Sequence, residues 1–141
     1  MQFQHYVGVK IVKARPMTRE EYNLYLGQPR LAGEVLEEPG FLVEYLDGGE
    51  SNHHAHDGYI SWCPAEVFKK TNLPLGDQPD TPDWALKLLA ERAQLESKLA
   101  SLFAELNQMQ PLHPRYSITM RQRKHTEALI ELLNERLEMV D

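Results

Sequence analysis

Residues 41–62, FLVEYLDGGESNHHAHDGYISW, decide what kind of fold this chain builds. In FLVEYLD (41–47), Leu42, Glu44 and Leu46 alternate with Phe41, Val43 and Tyr45, which is the period of a strand. GYISW (58–62) is a second short run of β-branched and aromatic residues. DGG and HDG punctuate the interval, so the two runs are expected to pair as an antiparallel hairpin with a long polar loop.

Upstream, HYVGVKIVKA (5–14) alternates Tyr6 and Ile11 with Val7, Val9 and Val12 only imperfectly, but its β-branched content reads as another strand. MTREEYNLYLG follows. Thr18 and Glu21 have capping-box spacing and Gly27 is a natural stop, predicting a short helix over 19–26. Residues 28–40 hold two prolines and two glycines and read as loop. Downstream, CPAEVFKK suggests a helical turn with Pro64 at its first position and Glu66 three residues after Cys63, although cysteine is a poor cap.

TNLPLGDQPDTPD (71–83) marks a change of composition. The expected organisation is a sheet region over 1–73, a proline-rich connector over 74–83 and a helical hairpin over 84–141. Thr81–Pro82 starts a long helix with Leu88, Leu95, Leu99, Leu102, Leu106 and Met109 on one face, interrupted by Arg92. At ~1.5 Å per residue it spans roughly 40 Å. MQPLHP breaks it, and a second helix over about 117–140 should turn Ile118, Leu129, Leu132, Leu133, Leu137 and Val140 inward. The fold class is therefore α+β: a small N-terminal antiparallel sheet with short helices, then an antiparallel two-helix hairpin. Two helices with one apolar stripe each cannot close a core alone. They need the sheet or a second copy, most simply in a symmetric dimer.

The 141 residues suit one compact domain or a small sheet with a helical extension. No apolar run approaches the ~20 residues that cross a bilayer. The start MQFQHYVGVKIV lacks the charged lead and apolar core of a signal peptide, so none is expected. A single cysteine, Cys63, precludes an internal disulfide and fits a reducing compartment. A net charge of −6 argues against broad binding to DNA or to an anionic membrane.

His53, His54, His56 and Asp57 cluster in the hairpin loop. Adjacent His53 and His54 should diverge, and no distant ligand completes a zinc set, so the stretch reads as a polar loop tip rather than a metal centre. A metal-dependent phosphodiesterase built on these histidines is the competing reading. Ser51 and Ser61 have no nucleophile-elbow context, and no P-loop or GxGxxG occurs. No catalytic residue, metal ligand or cofactor is assigned.

The charge is uneven. From His113 to Lys124 lie Arg115, Arg121, Arg123 and Lys124, with no acid. Helix N-termini ordinarily favour acids, so bases there suit a bound phosphate. Arg121 and His125 share a helix face with Ile118, Leu129 and Leu132. Aromatic rings offer a surface on which a base can stack, for roughly 1–3 kcal/mol. The candidate ligand-binding residues are Phe103, Asn107, Arg115, Tyr116, Arg121, Lys124 and His125 on the helices, and Tyr59 and Trp62 on the strand.

YVGVKIVKARPMTREEYNLYLG and GFLVEYLDGGESNHHAHDGYISW, with Pro64 and EVF (66–68) after them, resemble a family of small phage proteins. Its pattern is YVG-K-I-KA-PMT--EYN-Y followed by a GYLVEY-DG and GYISWSPKEVF run, and it is the first type of Thoeris anti-defence protein. The resemblance covers residues 6–68 and, more loosely, the two helices, where RQRKH has His125 in place of a usual glutamine. It implies a sponge that binds a cyclic ADP-ribose signal of bacterial Thoeris immunity and withholds it uncleaved. It also implies interlocked dimers, in some cases hexamers, acting in the cytoplasm of the infected bacterial host. Some members also hold cyclic di- or trinucleotides. The chain departs from the pattern over Tyr25–Gln28, where relatives carry YRGW and Leu26 and Gln28 replace the arginine and tryptophan, and at Cys63, where they carry serine.

Overall fold

A computed structural model of the chain describes residues 1–28 and 33–139. It divides into two compact units, Met1–Asn72 and Leu73–Asp141. The first holds β1 (Val12–Pro16), α1 (Arg19–Leu26), β2 (Gly40–Tyr45), β3 (Ile60–Pro64) and α2 (Ala65–Thr71). The second is a hairpin of α3 (Asp83–Gln108) and α4 (Tyr116–Glu138). This is the α+β organisation that the alternation and the helical periodicity predict.

The sheet is antiparallel with β2 in the centre. Leu42 stands between Arg15 and Trp62, and Glu44 between Lys13 and Ile60, so these residues share one face. Met17, Tyr22, Leu42 and Ile60 form the buried core, with Tyr25, Leu26 and Trp62 packed against it. The Trp62 indole N–H donates to the Met17 carbonyl at 2.8 Å, which satisfies the one polar atom of that ring. Elsewhere in the unit, the Phe68 ring of α2 stacks on Phe41 at 4.3 Å.

The signals for α1 hold to the residue. Thr18 accepts the Glu21 amide at 3.2 Å. Gly27 closes the helix at φ 68°, and the bonds from Gly27 to Leu24 and from Gln28 to Asn23 make a Schellman end. The first two helical amides go to loop carbonyls, Arg19 to Glu38 and Glu20 to Leu36. Glu34 takes both Arg19 (2.9 Å) and the side chain of buried Asn23 (2.8 Å). That trio ties α1 to the connection leading into β2.

Two expectations for this unit change. The first strand covers Val12–Pro16 rather than 5–14, because Val12 already lies opposite Tyr45, the last residue of β2. Beyond it no partner remains, and Tyr6, Val7 and Val9 stand at least 80% exposed. Pro64 is not the first helical residue. It ends β3 opposite Gly40 with ψ 141°, and α2 starts at Ala65 without a side-chain cap. The 29–32 part of the expected loop and Val140, expected inward on the last helix, lie outside the described residues.

In the second unit α3 runs for 26 residues. Ala85, Leu88 and Leu102 are buried on it, and Leu95, Leu99, Leu106 and Met109 are half-buried. Thr81 does not cap α3; its hydroxyl turns to Gln78 (3.3 Å), and Pro82 occupies the cap position. The interrupting Arg92 has a purpose: its guanidinium donates to Asn134 on α4 at 3.0 Å.

The face of α4 differs from the expected one. Its buried residues are Thr119, Thr126 and Leu133, seven apart. Ile118, Leu129 and Leu132, expected inward with Leu133, are 60%, 48% and 54% exposed. Two apolar rows lie one residue apart on this helix, and threonine hides one of them from a hydrophobicity pattern. The buried hydroxyls are satisfied locally, Thr119 donating to the Arg115 carbonyl (2.8 Å) and Thr126 to the Gln122 carbonyl (2.7 Å). Among the described residues no helix is long and apolar enough to cross a membrane.

Gly40 lies so close to the Trp62 indole and the Cys63 carbonyl that a Cβ there would overlap both. Gly40→Ala is expected to lower stability by about 1–3 kcal/mol, the usual cost of overpacking. Gly8→Ala, with nothing within 4 Å, is expected to change it little. Urea denaturation of both variants against the parent checks this.

Candidate functional site

The basic island sits where the second helix begins. Arg115 precedes α4, and Tyr116, half-buried, is its first residue. The helix has no acid in its first turn and no side-chain cap. Arg121, Lys124 and His125 are exposed on its outer side, and among the described residues neither Arg121 nor Lys124 forms an ion pair. Arg123 is different: it is half-buried, its Nε 3.5 Å from Glu127.

Phe103 is 43% exposed on α3, and its ring is met by the Arg123 guanidinium at 5.3 Å. The aromatic partner of the island is thus Arg123 rather than Arg121 or Lys124. Asn107 is exposed in the last turn of α3. A cleft of about 370 Å³ at the hairpin turn is lined by Glu105, Met109, His113 and Arg115 among others, so of the predicted residues it includes Arg115 alone. What the geometry offers is two exposed cations without ion pairs, Arg121 and Lys124, on the outer side of α4, and a half-exposed ring whose own cation, Arg123, is paired with Glu127. The same side of α4 carries the exposed stripe of Ile118, Leu129 and Leu132.

The two predicted aromatics of the first unit have other surroundings. Tyr59 is 48% exposed and tilts against Tyr45 at 6.3 Å. Trp62 belongs to the packing around the core, with the Arg19 guanidinium 5.1 Å from its ring. The first holds a surface available to a ligand; the second holds the sheet together.

The histidine loop is more ordered in its contacts than a polar tip requires. Ser51 donates to the carbonyls of His53 (2.7 Å) and His56 (2.5 Å). The Asn52 amide bonds both the N–H (2.8 Å) and the C=O (2.9 Å) of Ile60, imitating a neighbouring strand. His53 and His54 do not diverge; their rings stack at 4.4 Å. His53 also stacks on Tyr25 at 4.4 Å. Its Nδ1 accepts the Ala55 amide (3.1 Å), which leaves the proton on Nε2 to donate to the Tyr25 carbonyl (3.2 Å).

His56 is the second anchor. Its Nδ1 lies 2.8 Å from Glu44 Oε1, and its Nε2 lies 2.6 Å from the Tyr25 hydroxyl. Both His56 and Glu44 side chains are 14% exposed. The bond from His56, with the Gly58 amide and the Lys13 charge adding to it, holds the Glu44 carboxyl below its ordinary value against the opposing effect of burial. An ionised carboxylate only accepts, so Nδ1 carries the proton and a neutral ring receives the Tyr25 hydroxyl proton on Nε2.

The result is a Tyr25–His56–Glu44 chain of hydrogen bonds that the linear reading misses. The one signal for it is Glu44 itself, an acid in register with Leu42 on the core face, where a charge needs a partner. Among the described residues no group of three or more His, Cys, Asp or Glu side chains is placed to hold a metal ion.

No family model, curated protein or solved structure matches the chain.

Because the folded state depresses the Glu44 carboxyl, its contribution to stability is full above the unfolded value of ~4.3 and is lost as pH falls through the lower folded value. Glu44→Gln is expected to cost about 1–3 kcal/mol at neutral pH by weakening two charge-assisted bonds. The gap to the parent should close as pH drops below ~4. Thermal melts of parent and variant from pH 7 to pH 3 check both the size and the sign.

Proposed function

We propose that the protein is a sponge that binds a cyclic ADP-ribose signal of Thoeris immunity in the cytoplasm of an infected bacterial host and withholds it uncleaved. Cyclic oligonucleotides are a second ligand class of the same kind. The observation that carries this reading is the pair of exposed, unpaired cations Arg121 and Lys124 on the acid-free first half of α4. With Phe103 half-exposed on α3, they suit a ligand that joins phosphate to a flat base. The family pattern carried by residues 6–68 points the same way.

The sponge acts as a homodimer or a larger ring of copies. Ile118, Leu129 and Leu132 form an apolar stripe left uncovered within the chain, and it flanks Arg121 and His125. A second copy lying on that stripe would remove it from water and close the cations into a cleft. Closure matters for affinity, because a charged group loses much of its attraction to screening when it stays in open solvent.

Calorimetry against a panel of cyclic ADP-ribose isomers and cyclic di- and trinucleotides, with linear ADP-ribose as control, tests the reading. Heating the complex should then release ligand that chromatographs unchanged. The Arg121→Glu, Lys124→Glu double variant is expected to weaken binding by roughly a hundredfold or more, the loss of two charge-assisted bonds of ~1.5–3 kcal/mol each. Degraded ligand would make the protein an enzyme. Undiminished function after charge reversal would make it a module that binds only protein.

A further inference from the structure

Outside the basic island, the first unit contains a cleft of about 340 Å³ whose lining includes Lys13, Arg15, Tyr25, Leu42, Glu44 and His56. We propose that this cleft is a separate binding site for a small phosphate monoester, with the phosphate on Lys13 and Arg15 and a hydroxyl or amine of the ester on the Tyr25 oxygen.

The sheet register builds the site. Lys13 and Arg15 are two apart on β1, so both project from the face that carries Leu42 and Glu44. Both are exposed, and among the described residues neither forms an ion pair. Arg15 is nonetheless placed: its guanidinium lies 5.4 Å from the centre of the Tyr25 ring. A planar fork beside a point charge is a combination suited to a tetrahedral dianion, which takes two bonds from the fork and one from the ammonium.

Tyr25 supplies the second recognition element. Its hydroxyl proton goes to His56 Nε2 at 2.6 Å, and His56 is in turn fixed by Glu44 at 2.8 Å. Both Glu44 oxygens are engaged, one by His56 and the other by the Gly58 amide at 3.0 Å. The carboxylate keeps its negative charge, which already acts on Lys13, so a phosphate is held only because Lys13 and Arg15 together bring two positive charges against that one. With its proton committed, the Tyr25 oxygen has a lone pair left to accept from the ligand. The ring itself is held by the stacked His53 at 4.4 Å, so the acceptor is set before a ligand arrives. The volume falls at the small end of metabolite pockets, ~300–1,000 Å³.

Edge strands often carry charge simply to prevent strand addition, and β1 is an edge strand. The experiment separates that role from binding. Histidine and backbone NMR of the full-length protein is followed during titration with ribose 5-phosphate, with inorganic phosphate and ribose as separate arms. The expected result is saturable shifts at residues 13–15, 25 and 56, with ribose 5-phosphate binding several-fold tighter than inorganic phosphate and ribose not binding. Lys13→Ser with Arg15→Ser should weaken the ester at least tenfold, and these exposed positions should leave the spectrum otherwise dispersed. Tyr25→Phe should erase the preference for the ester while keeping phosphate. The Arg121→Glu, Lys124→Glu variant should titrate like the parent, which keeps this result distinct from the sponge reading. The absence of saturable shifts at 10–20 mM ester, or shifts that survive removal of both cations, would reduce Lys13 and Arg15 to edge-strand charges and overturn the proposal.

Discussion

The Glu44 carboxylate organises the first unit. It stands on the central strand, on the face that carries Leu42, and there it takes the His56 ring and the Gly58 amide. A charge so placed has to be compensated or neutralised. The compensation comes from a loop twelve residues on, and it pulls that loop over the sheet. Tyr25 on α1 completes the chain through its hydroxyl. A helix, a strand and a hairpin loop are thus joined by polar contacts beside a core cluster of four buried residues among those described. Small cores have little hydrophobic surplus, and such a network adds specificity of shape where burial alone is thin.

The second unit solves the same difficulty with different means. Its helices meet along a seam of leucines from α3 and of two threonines and a leucine from α4. The threonine hydroxyls bond back to their own helix, so they present little more than a methyl group to the seam. Arg92 and Asn134 set the pairing of the two helices at one point along it. Between them, polar residues that look like interruptions in the pattern fix the register of the hairpin.

What could be read from the residues follows from how local each signal is. Thr18, Glu21 and Gly27 act within one helix, and they mark its ends correctly. The alternation in 41–47 assigns the faces of β2 as found, because a period of two leaves no ambiguity. The extent of β1 was not legible, since it depends on where the partner strand stops. The inward face of α4 was misassigned for a related reason. Thr119 and Thr126 are buried against α3, a choice that no local propensity announces. His56 and Tyr25 are 31 residues apart, and His56 and Glu44 twelve, so their meeting depends on the closed hairpin and on α1 packing across the sheet. Of the candidate ligand residues, the cations of α4 were named from charge alone. Trp62 was named for its ring, and its ring turned out to hold the sheet.

α4 is an unusual helix in having two rows of its surface committed. One row, through Thr119, Thr126 and Leu133, is sealed within the hairpin, and the adjacent one, through Ile118, Leu129 and Leu132, stays uncovered. The strip through Ser117, Ala128, Glu131 and Glu135 belongs to neither row, and all four are exposed; Lys124, which lies along it, has a proposed ligand role. Variation among natural homologues should then concentrate on that strip outside Lys124, while the other two sides change together with whatever they touch.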